Sequence, residues 1–154
     1  MTLSEEITAL DRKLLAWHAE NEVSQRLTAI PGLGVVTATA LAAAVTDPDQ
    51  FRSGRQFAAW LGLTPRQHST GGKTQLGGIS KQGDRYLRRL LVVGATAVIR
   101  HTKDKPTPMA NWIRKLLVKK PFRVVSVALA NKLARIAWVV LTRKEAYRPD
   151  QLAP

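Results

Sequence analysis

The longest run of helical apolar spacing lies near the C-terminus of this sequence and constrains the fold more than any other feature. Apolar side chains recur there every three or four positions, at Val124, Val125, Ala128, Leu129, Leu133, Ile136, Ala137 and Val140. This spacing puts them on one face of an α-helix, which must be buried against other apolar surfaces. Lysine, arginine or asparagine interrupts each apolar stretch before it reaches a membrane-spanning length. We therefore predict a core helix from about Pro121 to Arg143 and no membrane partner.

Two further helices are predicted before this one. The first runs from Lys81 to about His101, with Ser80 as its N-cap. The second has Thr107 as its N-cap and Pro108 at its first position, where proline is well tolerated. Together these patterns predict an all-α, mainly helical fold that contains a helical bundle.

A glycine-rich segment, residues 64–81, separates the helical patterns. It contains four glycines and almost no apolar side chains. Such a stretch inside a compact domain is either mobile or functional. Because a Gly-Gly pair suits a tight hairpin turn, Gly71-Gly72 predicts either a Gly-rich loop or a small hairpin.

The N-terminal segment has the spacing of a short coiled coil. Its apolar residues are four, three, four and three positions apart, at Leu3, Ile7, Leu10, Leu14 and Trp17. Two heptads are too short to form a stable helix alone. Residues 1–27 therefore form either the end of a longer coiled-coil helix or a helix packed on the domain. We expect a homo-oligomer through this N-terminal helix.

A Pro-Gly-x-Gly turn lies between two helical patterns at residues 31–34 and suggests a helix-hairpin-helix. Gly32 and Gly34 permit positive φ angles and leave the backbone uncovered. The helix that follows, from about Val36 to Val45, would begin with free N–H groups able to hold a phosphate. A plain tight turn between two helices is the structural alternative.

The charge is unevenly distributed. The chain has a formal net charge of +13, and residues 51–154 contain 21 lysines and arginines against four acidic residues. A polyanion such as DNA or RNA is the natural partner of such a segment, because each neutralised phosphate releases counterions. A basic surface without a specific ligand is the alternative. The absence of cysteine excludes disulfides, thiolate zinc sites and a cysteine nucleophile.

No metal centre is predicted within this chain. Beyond the N-terminal helix, Asp47 and Asp49 are the only close pair of carboxylates, and an Asp-Pro-Asp turn is usually a solvated loop. The three histidines, His18, His68 and His101, are too dispersed to bind zinc without cysteine.

The glycine-rich segment also contains a candidate nucleophile, Ser69. A serine that attacks a phosphodiester needs a base for its proton and cations for the transition state. His68 is a candidate base. Alternatively, Ser69 and Thr70 only donate hydrogen bonds in a phosphate-binding loop, which is the interpretation that spacing alone favours. The phosphate-binding residues predicted from the sequence are Gly32, Gly34, Arg66, Gly71, Gly72, Lys73, Lys81, Arg85, Arg88 and Arg89.

Four motifs in this order resemble the C-terminal transposase domain of the insertion-sequence-110 family, the bridge-RNA-guided recombinases of bacterial mobile elements. They are Ile30-Pro31-Gly32-Leu33-Gly34, the segment from Phe57 to Pro65, Ser69-Thr70-Gly71-Gly72-Lys73, and the segment from Leu76 to Leu91. The resemblance covers about residues 28 to 145. The helix-hairpin-helix alone is weak evidence, whereas the ordered set is specific.

The resemblance implies a function that the spacing does not establish. Family members join an RNase H-like domain with four acidic ligands for Mg²⁺ to a coiled coil and then to this domain. A serine here is the DNA-linked nucleophile, and the family motif assigns it to Ser69, with Ser80 as the second choice. DNA and a guide (bridge) RNA are the implied partners. The alternative is a non-catalytic helix-hairpin-helix module that binds nucleic acid.

The resemblance also implies the domain organisation. Residues 28–146 would form the DNA-binding transposase domain. The sequence itself, rather than the resemblance, predicts a disordered tail at residues 147–154. Since the sequence contains no RNase H-like domain, we expect nucleic-acid binding from this chain but not complete recombination. The expected location is the bacterial cytoplasm, in association with the nucleoid.

Overall fold

The computed structural model describes residues 1–70, 73–79, 81, 83–102 and 104–149, and these confirm the predicted mainly helical fold. The described residues form seven α-helices, one short 3-10 helix and one two-stranded antiparallel sheet. In chain order these are α1 (Leu3–Glu20), α2 (Glu22–Thr28), α3 (Val35–Ala44), the 3-10 helix (Pro48–Gln50), α4 (Gly54–Trp60), β1 (Pro65–Thr70), β2 (Lys73–Ile79), α5 (Arg85–Thr102), α6 (Pro108–Lys119) and α7 (Phe122–Arg143).

Helix α7 forms the centre of the core, as its apolar spacing predicts. It packs against α2, α4, α5 and α6. Leu129, Leu133 and Ala137 on α7 are completely buried. The helix is long and apolar enough to span a membrane, but 61% of its most apolar 18-residue stretch is buried inside the protein. Burial of this kind is the property of a core helix.

Helix α5 begins later than the sequence predicts. It starts at Arg85, and the Oδ1 atom of Asp84 accepts a hydrogen bond from the Leu87 amide at 2.9 Å. The predicted start at Lys81, with Ser80 as N-cap, is therefore wrong. Lys81 and Gly83 have φ angles of 56° and 90°, and left-handed residues at these positions interrupt a right-handed helix. Ser80 itself lies outside the described residues.

Helix α6 begins where the sequence predicts. The Thr107 hydroxyl accepts a hydrogen bond from the Ala110 amide at 3.1 Å, and Pro108 occupies the first turn. The amide that proline lacks would have had no partner inside the helix. The N-cap pattern was therefore sufficient to locate this helix.

Helices α2 and α3 are joined by the turn that contains Gly32 and Gly34. Gly32 has a φ angle of 88° and packs against α5 and α7. A Cβ atom at Gly32 would lie 2.9 Å from Val98 Cγ2 and 3.1 Å from Leu133 Cδ1. This turn thus requires glycine for both its backbone angle and its close packing on the core.

The N-terminal segment consists of two helices rather than one. The chain breaks at Asn21, whose side-chain oxygen accepts a hydrogen bond from the Ser24 amide at 2.8 Å and so caps α2. None of the described residues of α1 is buried, and among the described elements this helix packs against α2 and α3. Leu3, Ile7 and Leu10 are 73%, 51% and 63% exposed. The predicted apolar seam therefore lies largely in solvent within a single chain.

The C-terminal segment packs on the core at its beginning. Tyr147 is half-buried against the hydrophobic core, and burial raises the pKa of its hydroxyl. Residues 150–154 of the predicted disordered tail lie outside the described residues. Helical order ends at Arg143, where Lys144 adopts a left-handed backbone conformation.

Candidate nucleic-acid interface

The glycine-rich segment forms the predicted small hairpin. Strands β1 and β2 are antiparallel, with Ser69 opposite Thr74 and Thr70 opposite Lys73. Gly71 and Gly72, the predicted turn residues, lie outside the described residues, and of Arg66, Ser69 and Lys73 the structure describes only the backbone. The candidate nucleophile and two candidate cations therefore share one hairpin.

Both ends of this hairpin are attached to the helical core. On the entry side, the Asn131 side-chain amide of α7 donates to the Leu63 carbonyl at 3.0 Å. On the exit side, the Lys81 amide donates to the Gly62 carbonyl at 3.1 Å, and Ile79 packs against the core. The core thus fixes the base of the hairpin while Lys81 remains exposed there.

The start of α5 is held against the end of α4. A Cβ atom at Gly83 would lie 1.8 Å from the Trp60 carbonyl oxygen, so the two backbones are in direct contact. The Arg88 guanidinium donates to the Leu61 carbonyl at 3.2 Å and is half-buried. Arg85 and Arg89 are exposed. The structure therefore divides the predicted arginine cluster into one residue that contacts the backbone just after α4 and two that are exposed.

The predicted phosphate-binding glycines lie in two separate regions. Gly32 is in the packed turn beside α5, whereas Gly34 is exposed and would have no atom within 4 Å of an added Cβ. Gly34 is the N-cap of α3, where no described side chain accepts a hydrogen bond from the first turn. A helix start without such a cap is the arrangement in which a helix-hairpin-helix would hold an anion. Phosphate binding at these glycines stays a prediction.

A group of cations that the sequence analysis missed lies beside the base of the hairpin. Arg52 and Arg55 flank the start of α4, and Arg135 on α7 lines the same cleft. The spacing of Arg52 and Arg55 around the helix start was a visible signal for that pair. Arg135 lies 80 positions after Arg55 in the sequence, on helix α7, whose apolar pattern indicates only core packing. Its place in this cleft could therefore be found only from the tertiary structure.

Burial and mutual repulsion affect the basic residues of α7. The pKa of Arg135 is lowered by burial and, to a lesser extent, by the positive charge of Arg55. Burial also lowers the pKa of Lys132, with a smaller contribution from Arg135. The Lys132 ammonium lies 4.5 Å from the Trp112 ring centroid, a cation–π contact. Positive charge is therefore concentrated where the base of the hairpin contacts α7.

The described residues form a helical domain with a cationic surface around a β-hairpin. Comparison with known families identifies the class of protein to which this domain belongs. The model of the "Transposase IS116/IS110/IS902 family" matches residues 24–109. The chain belongs to this family. The matched region includes the turn between α2 and α3, the hairpin and the whole of α5.

Individual relatives extend the similarity to almost the whole chain. A "Probable family 20 transposase" of Pseudomonas aeruginosa is 52% identical over 148 residues, which cover 96% of this chain and 44% of that protein. The "Transposase for insertion sequence element IS1328" of Yersinia enterocolitica is 47% identical, covering 92% of this chain and 42% of that protein. A "Pilin gene-inverting protein" of Moraxella bovis is 27% identical, covering 94% and 46%. The chain spans less than half the length of these relatives.

Proposed function

We propose that this chain is the DNA-binding domain of a transposase and carries the serine nucleophile, Ser69, for strand cleavage and exchange. The match of residues 24–109 to a transposase family is the observation that carries this proposal. The position of Ser69 in a hairpin between Pro65 and Ile79 gives it further support, since the core holds the two ends of this hairpin.

The proposed reaction is a transfer of a phosphodiester to serine. The Ser69 oxygen attacks the phosphorus, an O–P bond to serine forms, and the bond from phosphorus to one sugar oxygen breaks. That sugar oxygen leaves as a hydroxyl after it receives a proton, while the serine proton passes to a base, for which His68 is the candidate within this chain. Because the phosphoserine ester retains the bond energy, a second sugar hydroxyl can reverse the step and join a different strand.

Cations around the hairpin would hold the DNA. Lys81, just after the hairpin, and Arg85 and Arg89, near the start of α5, are exposed, so they can approach phosphates without a change in the core. Arg66 and Lys73 belong to the hairpin itself. The sequence also predicts phosphate contacts from the backbone amides of Gly71 and Gly72, which lie outside the described residues. The uncapped start of α3 after Gly34 is a second anion site, in the manner of a helix-hairpin-helix.

The remaining parts of the active site would come from outside these residues. In the described part of the chain no three histidine, aspartate or glutamate side chains converge on a metal site, so these residues do not fit Mg²⁺. We propose that an RNase H-like domain supplies those acids and that a guide RNA selects the DNA. Oligomerisation through the exposed apolar face of α1 would bring that domain from another subunit. The protein would act on DNA in the bacterial cytoplasm, at the nucleoid.

Formation of a protein–DNA adduct tests the proposal. The chain is incubated with its acidic domain, guide RNA, Mg²⁺ and labelled target DNA, and adducts are separated by denaturing electrophoresis. Ser69→Ala should abolish the adduct but still bind DNA, whereas Ser80→Ala should still form the adduct. An adduct that persists in Ser69→Ala and disappears in Ser80→Ala would transfer the role to Ser80. An adduct in both variants would refute a serine nucleophile in this hairpin.

A non-catalytic nucleic-acid-binding module is the second candidate function. The exposed Lys81, Arg85 and Arg89 support it, since contact with phosphates requires no nucleophile. On this hypothesis the helix-hairpin-helix and α5 only position nucleic acid. The same assay separates the two, because the module would bind the target DNA without forming an adduct under any condition.

A further inference from the structure

Two clefts lie side by side at the base of the hairpin, and a single wall of residues separates them. Pro65, Asn131 and Arg135 line both of them. Asn131 is held in this wall by its hydrogen bond to the Leu63 carbonyl at 3.0 Å. The wall therefore consists of the start of β1 and one face of α7, and the two clefts differ in the residues on its two sides.

The first cleft is strongly cationic and is the more polar of the two. It has a volume of about 770 Å³, and the described residues that line it include three arginines and no carboxylate: Arg52, Arg55 and Arg135, beside Ser53, Gln56 and Thr64. Arg55 is close enough to Arg135 for its charge to disfavour the charged form of that side chain. An anion between these guanidinium groups would relieve the repulsion and accept hydrogen bonds from them. This arginine cleft is therefore suited to a phosphate.

The second cleft is apolar and opens on the other side of the wall. It has a volume of about 600 Å³, within the range of small-ligand sites. Its apolar lining comes from the hairpin base, α6 and α7: Leu63, Ile79, Trp112, Val124, Val127 and Ala128. Lys81 and Arg123 also line it. An apolar cleft with cations in its lining suits a base and its sugar, which are attached to anionic phosphates.

We propose that the two clefts together bind one unpaired nucleotide of the DNA strand that reacts at the hairpin. Its phosphate lies in the arginine cleft, and its base enters the apolar cleft. A base paired in a duplex could not enter, because it is stacked between its neighbours. This inference rests on the proposed function, since it takes transposon or target DNA as the ligand.

The position of the clefts along β1 favours DNA as the occupant. Pro65 begins β1, and Ser69 lies four positions further along the same strand. At about 3.3 Å per strand residue, the backbone separation is about 13 Å, which one DNA strand spans in about four nucleotides at B-form rise. A strand attacked at Ser69 therefore passes the clefts within a short distance of the reacting phosphate.

Binding of single-stranded and duplex DNA to the full chain tests the arginine cleft. Fluorescence anisotropy is measured for labelled oligonucleotides with the unmodified protein, with Arg52→Gln/Arg55→Gln, and with Arg12→Gln/Lys13→Gln on α1 as a control of equal charge loss. Both replaced arginines in the cleft are exposed, so the fold should be retained, which thermal unfolding checks. We expect the cleft variant to bind single-stranded DNA about tenfold more weakly and to lose less affinity for duplex. Equal losses for the two DNAs, or a loss no greater than in the control, would overturn the proposal.

An oligonucleotide that lacks bases tests the apolar cleft. Ala128→Leu fills part of this cleft without adding charge or an aromatic ring. We expect it to weaken binding of an ordinary single strand about fivefold and to leave binding of an abasic strand unchanged. An equal effect on both strands would exclude base insertion. Tighter binding of single-stranded RNA with the same sensitivity to the variants would reject DNA as the occupant. None of these measurements involves Ser69, so failure of the adduct assay and failure of this site are distinguishable.

Discussion

Gly94 on α5 contacts Gly32 backbone to backbone: a Cβ atom added at Gly94 would lie 2.0 Å from the Gly32 carbonyl oxygen. The turn between α2 and α3 is therefore seated directly on α5, with no side chain between them. Gly32 itself has a positive φ angle, so neither partner accepts a larger residue easily. This contact connects the candidate anion site at Gly34 to the helix that carries Arg85 and Arg89.

Replacement of Gly94 should therefore unfold the domain more easily, although alanine is normally favoured inside a helix. We expect Gly94→Ala to lower the free energy of unfolding by about 3 kcal/mol, because a fixed carbonyl occupies the space of the new methyl group. Gly34→Ala, where an added Cβ meets nothing within 4 Å, is the matched control and should change stability by less than about 1 kcal/mol. Urea unfolding of both variants measures the difference. Equal stability of the two would show that the turn can move away from α5.

The three arginines in the first two turns of α5 should separate into one with a structural role, Arg88, and two that bind DNA, Arg85 and Arg89. Arg88→Gln removes the hydrogen bond to the Leu61 carbonyl and should cost about 1–2 kcal/mol of unfolding free energy. Arg89→Gln replaces an exposed side chain and should change stability by no more than about 0.5 kcal/mol. Thermal or urea unfolding provides the measurement. A loss in Arg89→Gln as large as in Arg88→Gln would contradict this division.

Salt dependence should identify the DNA-contacting pair. For duplex DNA, each lost phosphate contact reduces the slope of log affinity against log salt by about 0.9. Arg85→Gln/Arg89→Gln should therefore reduce the slope by about 2, whereas Arg12→Gln/Lys13→Gln on α1 should leave it unchanged. Binding titrations at four or five salt concentrations give the slopes. The same slope in the α5 variant and the unmodified protein would place these arginines outside the interface.

Local sequence patterns predicted the helices whose signals are complete within a few residues. The N-cap of α6 at Thr107 and the apolar stripe of α7 were both located correctly, because capping and amphipathic spacing are local properties. The start of α5 was missed because Ser80 resembles an N-cap in sequence. In the structure the backbone is left-handed at Gly83, which contacts the Trp60 carbonyl, and Asp84 caps the helix instead by accepting from the Leu87 amide.

The candidate site was predictable only where its residues are close in sequence. The hairpin followed from Gly71-Gly72 and the polar residues beside it. The arginine cleft joins Arg55 to Arg135 across 80 positions, and the apolar spacing of α7 gave no reason to expect a charged side chain in a site. Tertiary packing determines such pairs, so the sequence alone predicts an excess of charge but not where the charges meet.

The apolar face of α1 should mediate self-association. Ile7 and Leu10 are 51% and 63% exposed in a single chain, and a second helix would bury them in the heptad arrangement. Ile7→Lys/Leu10→Lys should shift the protein towards monomer in light scattering after size exclusion, with little change in the stability of the core. Leu15→Lys, which replaces a 54% exposed residue off the heptad positions, is the control. Identical masses for the unmodified protein and the double variant would exclude this face as the interface.

Lys132 should make the stability of the protein depend on pH below the titration range of an ordinary lysine. Its side chain is 6% exposed, and burial lowers its pKa below the usual value. Between that lowered pKa and the usual one, the unfolded chain binds more protons than the folded chain, so the free energy of unfolding rises with pH. Lys132→Met lacks this contribution and should gain less stability between pH 7 and pH 10.5, the usual pKa of lysine, because all other groups are the same. Urea unfolding of both proteins at the two pH values measures the difference, and parallel pH dependences would show that Lys132 reaches solvent.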